Sequence, residues 1–201
     1  LWFLWSIEMS TGMVENPLSP GPSGESEREQ AAQQDGAPSS RPSAHKTLVI
    51  GLGNPLVSDD SVGLRVVAQL KGILADRDDV EVTEDYWGGL RLMERMIGYD
   101  RTVIIDATYT GASPGTIHHL STDSIATQKS ASAHDVNLPT ALAFGRSAGA
   151  HLPADEDVRL IGIEAEDLIN FNDQCTPAVA AAIPRAVQEV VQLLDSMLSS
   201  D

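Results

Sequence analysis

The sequence predicts a three-layer α/β domain over residues 46–201, with helices on both faces of a mostly parallel, mixed sheet. Three observations predict it. Apolar runs that read as strands alternate with stretches of helical periodicity, and such alternation builds a helix-covered sheet. Hydrophobic residues make up 42% of the 201-residue chain but aromatics only 4%, so packing rests on Val, Ile, Leu and Ala, the residues of strands buried on both faces. A glycine turn, Gly51-Leu52-Gly53-Asn54-Pro55, also joins the first strand directly to the first helical stretch. Open α/β sheets place ligands in this way, beyond the carboxyl ends of their strands.

Residues 1–45 stand apart. From Glu15 to His45 the chain is rich in Pro, Ser, Gln, Gly and Glu and cannot offset its ordering entropy by burial, so it reads as a disordered, low-complexity tail. The opening LWFLWSI is far shorter than the ~20 apolar residues that cross a bilayer and lacks the basic flank of a signal peptide, so no membrane insertion is expected. Met9 and Met13 are alternative starts that would remove part of this tail.

Within the domain, Thr47–Leu52 is the first strand. Val62, Val66, Leu70 and Ile73, widened by Val67 and Leu74, form the stripe of a helix that Ser58 and Asp59 can cap. Val80–Thr83 alternates as a short strand, Glu84–Gly89 reads as a loop, and Leu90, Met93 and Ile97 mark a short helix ending near Gly98. Arg101–Asp106 is an apolar strand ending on an acid, Thr108–Gly115 a turn and Thr116–Leu120 a strand. Ser121–Ala133 is a polar loop long enough to suggest function, and His134 closes it before a helix over Asn137–Gly145. Asp157–Glu164 is the last strand. Thr176-Pro177 caps a long amphipathic helix through Ile183, Val187, Val190, Val191, Leu194 and Leu198, in which Pro184 is expected to introduce a kink.

Charge and cysteine content exclude several functions. The net charge is −16, and residues 1–45 hold six acids against two arginines, so −12 belongs to the domain. No nucleic-acid partner is expected. Cys175 is the only cysteine, so no internal disulfide can form, and a reducing cytoplasm is the expected compartment. Gly51–Leu56 lacks the third glycine of a dinucleotide fingerprint, which argues against a nucleotide cofactor. Gly111-Ala112-Ser113-Pro114-Gly115 matches G-x-S-x-G formally, but it leads into a strand where a nucleophile elbow needs a helix.

The chemistry points to carboxylates. Asp60 follows the first strand and Asp106 ends the third, so in a parallel sheet both lie at one edge and their carboxylates can converge. Asp60 fits equally a carboxylate favouring a helix N-terminus. A loop histidine would complete two oxygens and one nitrogen around a divalent metal with open positions. His134 is best placed and His151 second. His118 and His119 are adjacent on a strand and face opposite ways, and His45 lies in the tail. Spacing alone leaves the triad open.

Taken together, G-L-G-N-P-L-x-x-D-D-x-x-G at Gly51–Gly63, V-I-I-D-A at Val103–Ala107, S-A-H-D at Ser132–Asp135, I-G-I at Ile161–Ile163 and T-P-x-V at Thr176–Val179 resemble the nickel-iron hydrogenase maturation endopeptidases. The resemblance spans roughly residues 46–195. It implies a phosphorylase/hydrolase-like three-layer fold with Asp60, Asp106 and His134 as metal ligands. It also implies that these ligands bind nickel already inserted in the precursor of the hydrogenase large subunit, from which the protease removes a short C-terminal peptide. Cleavage would then check metal loading. Gly51, Gly53 and Asn54 would shape the turn that aims Asp60. Where many members carry D-G-G-T-x-G, this chain has Glu84-Asp85-Tyr86-Trp87-Gly88-Gly89, so Glu84, Asp85, Trp87 and Gly89 are expected to read the substrate with altered preference. Two other readings use the same residues. A non-catalytic nickel-binding accessory protein would need the same three ligands. Peptidyl-tRNA hydrolases share the G-L-G-N-P opening, but they need a histidine shortly after it and a basic face; here no histidine lies between Lys46 and Gly115.

Overall fold

The computed structural model describes residues 46–122 and 137–198. Five strands form one sheet: β1 (Thr47–Leu52), β2 (Val80–Asp85), β3 (Arg101–Thr108), β4 (Ile117–Leu120) and β5 (Val158–Glu164). Their order is β2-β1-β3-β5-β4, with every pairing parallel except the antiparallel β4–β5 edge. The predicted three-layer class with a mostly parallel, mixed sheet is therefore observed.

Helices cover both faces. Val49, Val103, Ile105, Ile161 and Ile163 pack beneath α1 (Val62–Ile73) and the last helix, Pro177–Leu198. Leu48, Ile50, Ile104 and Leu160 pack on the other face against α2 (Gly89–Arg95) and α3 (Leu138–Ser147). Successive strand residues alternate between these two cores, as a pleated sheet requires. Asn137 caps α3 by accepting the Thr140 N–H at 3.0 Å. The helix over Pro177–Leu198, α4, is continuous through Pro184, which lies on its exposed side.

Several local expectations are corrected. Glu84 and Asp85 are the last residues of β2 and Gly89 opens α2, so the loop between them is Tyr86–Gly88. In α2 and the turn that ends it the buried residues are Leu92, Met93 and Met96, while Leu90 and Ile97 are exposed; a helix of seven residues is too short for periodicity to fix its inner face. Ile73, counted in the α1 stripe, is likewise exposed at the helix end. β3 extends past Asp106 to Thr108 because β5 continues beside it, pairing Thr108 with Glu164. Among the described residues, no helix is long and apolar enough to cross a membrane.

Candidate metal-reading site

Two close backbone contacts place the first carboxylate. Gly51 lies within β1, and a Cβ there would sit 2.3 Å from the Gly63 carbonyl oxygen; a Cβ on Gly63 would sit 2.3 Å from Leu52 O and 2.4 Å from Ile105 O. The first turn of α1 is thus pressed against the ends of β1 and β3, one residue short of Asp106. Gly53 adopts φ +147°, and a Cβ there would lie 1.9 Å from the Asp60 carbonyl oxygen. Only glycine allows the chain to double back here. Asn54 completes the turn: its Oδ1 accepts the Leu56 N–H, and its own N–H donates to Asp60 Oδ2, both at 3.0 Å. Asp60 then sits in a single 3-10 turn, Asp59–Ser61, directly before α1.

Asp106 projects from the same edge on β3. Its carboxylate accepts the neighbouring Ala107 N–H at 2.8 Å. Burial first, and then the nearby negative charge of Asp60, push its pKa up to about 7 against the lowering effect of that N–H. Asp60 is also raised by burial, with the Asn54 N–H opposing. No ion pair to either acid exists among the described residues. Two carboxylates within electrostatic reach, each with one backbone donor, suit a cation that neutralises both. Among the described residues, no three His, Cys, Asp or Glu side chains form a complete metal cage. His134 falls in 123–136 and lies outside the described residues.

The second-ranked histidine is at the wrong end. The His151 carbonyl accepts the Gly98 N–H, and its ring lies 3.0 Å from Asp100, just before β3 begins. That places it at the amino edge of the sheet, opposite Asp60 and Asp106. His118 and His119 face opposite ways, as expected: the first meets Glu164 at 3.2 Å and the second Glu189 on α4 at 2.7 Å.

Two structural acids are not evident from the sequence. Asp59, expected to cap α1, does not cap it. It is fully buried, and its oxygens accept the Glu166, Asp167 and Thr176 N–H groups and the Thr176 hydroxyl at 2.7–3.0 Å. It therefore fastens the turn that carries Asp60 to the loop between β5 and α4. Glu164, at the end of β5, accepts the Thr110, Gly111 and Ala112 N–H groups at 2.7–3.1 Å, together with the Thr110 hydroxyl and the His118 ring. Burial would raise Glu164, but the bonds from Thr110, Gly111 and His118 outweigh it and hold the carboxyl below its usual range. An acid closing an apolar strand, the signal that singles out Asp106, is equally present at Glu164. The same bonds show that Gly111–Gly115 is a turn organised by Glu164 and not a nucleophile elbow. Cys175 lies 3.6 Å from the Ser61 hydroxyl and 3.7 Å from Ser58 O, and neither neighbour is a base that could activate it.

At the predicted substrate loop, Glu84 pairs with Lys71 at 3.6 Å and Asp85 with Arg95 at 3.3 Å. The Arg91 guanidinium stacks 4.7 Å above the half-exposed Trp87 ring.

Comparison with known proteins gives the family and the fold. The profile described as hydrogenase maturation protease matches residues 64–193. The chain belongs to the hydrogenase maturation protease family. The hydrogenase expression/formation protein HupD of Rhizobium leguminosarum bv. viciae is 30% identical over 77% of each chain. The hydrogenase 2 maturation protease of Escherichia coli K12 is 28% identical over 74% of this chain and 90% of its own. Among solved structures, the hydrogenase maturating endopeptidase HybD from E. coli superposes with a TM-score of 0.62 at 28% identity, covering 76% of this chain and 93% of its own. As a hydrogenase maturation protease, the chain is an endopeptidase by family. The matched span includes Asp106 and begins four residues after Asp60, so the place of Asp60 rests on the turn geometry.

Proposed function

We propose that this chain removes a short C-terminal peptide from the nickel-loaded precursor of a nickel-iron hydrogenase large subunit, and that Asp60, Asp106 and His134 hold the nickel the precursor carries. One observation carries the reading: Asp60 and Asp106 lie together at the carboxyl edge of the sheet, poorly supplied with hydrogen bonds and with no ion pair among the described residues. A divalent ion between them relieves both the burial cost and the mutual repulsion. Without that ion, burial and the charge of Asp60 push the Asp106 carboxyl up to about 7, so at neutral pH it is only partly ionised and less net charge is left unpaired. Polarisation of the scissile carbonyl, or of the water that attacks it, is chemistry that the substrate's own cation supplies. Water adds to the carbonyl carbon, the C–N bond breaks, and the leaving amine takes the proton. The chain's residues orient that cation, and Glu84, Asp85, Trp87 and Gly89 line the approach from β2, where Trp87 offers apolar area to the substrate.

The test incubates the purified chain with hydrogenase large-subunit precursors, nickel-loaded and nickel-free, and reads precursor mass. The expected result is loss of a C-terminal fragment from the loaded form alone. No loss from either form would overturn the protease assignment and favour a nickel-binding accessory role.

A further inference from the structure

Large exposed apolar side chains stand on two loops that leave the sheet at the edge carrying the acid pair. Ile169 and Phe171 are 75% and 82% exposed, in the loop that follows β5, and Leu56 is 65% exposed in the turn that follows β1. Both segments leave carboxyl ends of parallel strands, the edge that carries Asp60 and Asp106. They are joined to each other: Val57 bridges Phe171, the Asn172 N–H donates to Leu56 O at 3.1 Å, and the Ser58 N–H donates to Asn170 O at 3.1 Å. The result is a short two-stranded ribbon with large apolar side chains on both arms. Isolated apolar residues on a surface need no explanation, but a group of them beside a polar site marks an interface.

The ribbon is also built into the site. Asp59, the residue before Asp60, accepts the Glu166 and Asp167 N–H groups at the start of the Ile169–Phe171 loop and the Thr176 N–H at its end. Loop and metal-reading turn share one buried carboxylate, so whatever seats on the ribbon is held in register with Asp60.

We infer that this ribbon is the docking surface for the folded body of the hydrogenase precursor, and that Ile169 and Phe171 anchor an apolar patch adjoining its cleaved tail. This inference rests on the proposed function and names where the substrate protein sits. A second copy of this chain fits poorly. It would bring Asp60, Asp106, Glu166, Asp167 and Asp173 against their own counterparts on a chain of net charge −16, and like charges across an interface disfavour association. It would also cover the acid pair.

The test is the double variant Ile169→Ser/Phe171→Ser. Both side chains are exposed, so an unchanged melting temperature should accompany it. Processing kinetics on nickel-loaded precursor and equilibrium binding to nickel-free precursor are measured for the variant and the unaltered chain. The expected result is a rise of about tenfold or more in KM and Kd, as for loss of interface anchors, with kcat at saturation changed less than about twofold. Unaltered KM and Kd in a variant whose parent cleaves the precursor would overturn this inference alone. A parent chain that neither cleaves nor binds the precursor would overturn it together with the proposed function. Sedimentation showing a dimer that the double variant dissociates would assign the ribbon to self-association instead.

Discussion

Asp59→Asn isolates the contribution of the buried carboxylate that ties the Asp60 turn to the β5–α4 loop. The side chain keeps its shape but exchanges one acceptor oxygen for an amide. In its better orientation the remaining oxygen keeps the Glu166 and Asp167 N–H groups and the Thr176 hydroxyl, while the new NH2 faces the Thr176 N–H that now donates to Asp59 at 2.7 Å. A buried N–H left without an acceptor costs about 1–3 kcal/mol, and each surviving bond loses charge assistance worth roughly 0.5–1 kcal/mol. The expected destabilisation is therefore about 2.5–6 kcal/mol, a fall in Tm of the order of 10 °C for a domain of this size. Thermal and urea denaturation measure it, and precursor processing on the same samples reads whether the Asp60 turn has moved. Thr176→Val, which removes only the hydroxyl donor, should cost about 1 kcal/mol. A Tm for Asp59→Asn within about 2 °C of the parent would refute the reasoning, because the four bonds would then not be those that hold the turn.

Asp106→Asn should abolish processing yet stabilise the metal-free chain above neutral pH. Because the folded carboxyl is held near 7, the unfolded chain ionises first and stability falls as pH rises from about 4 to about 7. Denaturation at pH 5 and pH 8 should show that slope in the parent and a smaller one in the variant; equal slopes would contradict it. Glu164→Gln should loosen the Thr110–Ala112 turn at a cost of about 2–4 kcal/mol. Glu164 titrates below its usual range, so its contribution is present at neutral pH and disappears only as pH falls through that lowered value, and the variant should lack this acid-side loss. Gly53→Ala places a Cβ 1.9 Å from Asp60 O at φ +147° and should cost more than about 2 kcal/mol along with processing; normal cleavage by this variant would show that the turn does not aim Asp60.

The sheet, the glycine turn and the meeting of Asp60 with Asp106 were legible in the sequence for one reason. Parallel strands deliver their carboxyl ends to a common edge, so two acids following two such strands meet without any need to know the partners of either. What stayed hidden depended on distant partners. Asp59 reads locally as a helix cap, and its true donors are backbone N–H groups at Glu166, Asp167 and Thr176, which carry no side-chain signature. His151 reads as a loop histidine, and nothing nearby says that its loop returns to the amino edge. Leu90 and Ile97 fit a helical stripe as well as Leu92 and Met96 do, and only packing under α3 selects the latter pair.

The four acids at this edge show how sequence position and chemical role separate. All follow or end apolar strands, and composition alone cannot rank them. Hydrogen-bond supply can. Asp59 accepts four donors, and Glu164 accepts three backbone N–H groups besides its side-chain partners, so their negative charge is already answered and they hold loops in place. Asp60 and Asp106 each accept a single backbone N–H and stand near enough for one charge to raise the other. A fold that directs backbone donors to the first pair and withholds them from the second leaves a deficit of positive charge at one point on its surface. On the proposed function a cation arriving with the substrate fills that deficit, so the nickel-loaded precursor binds more tightly than the unloaded one.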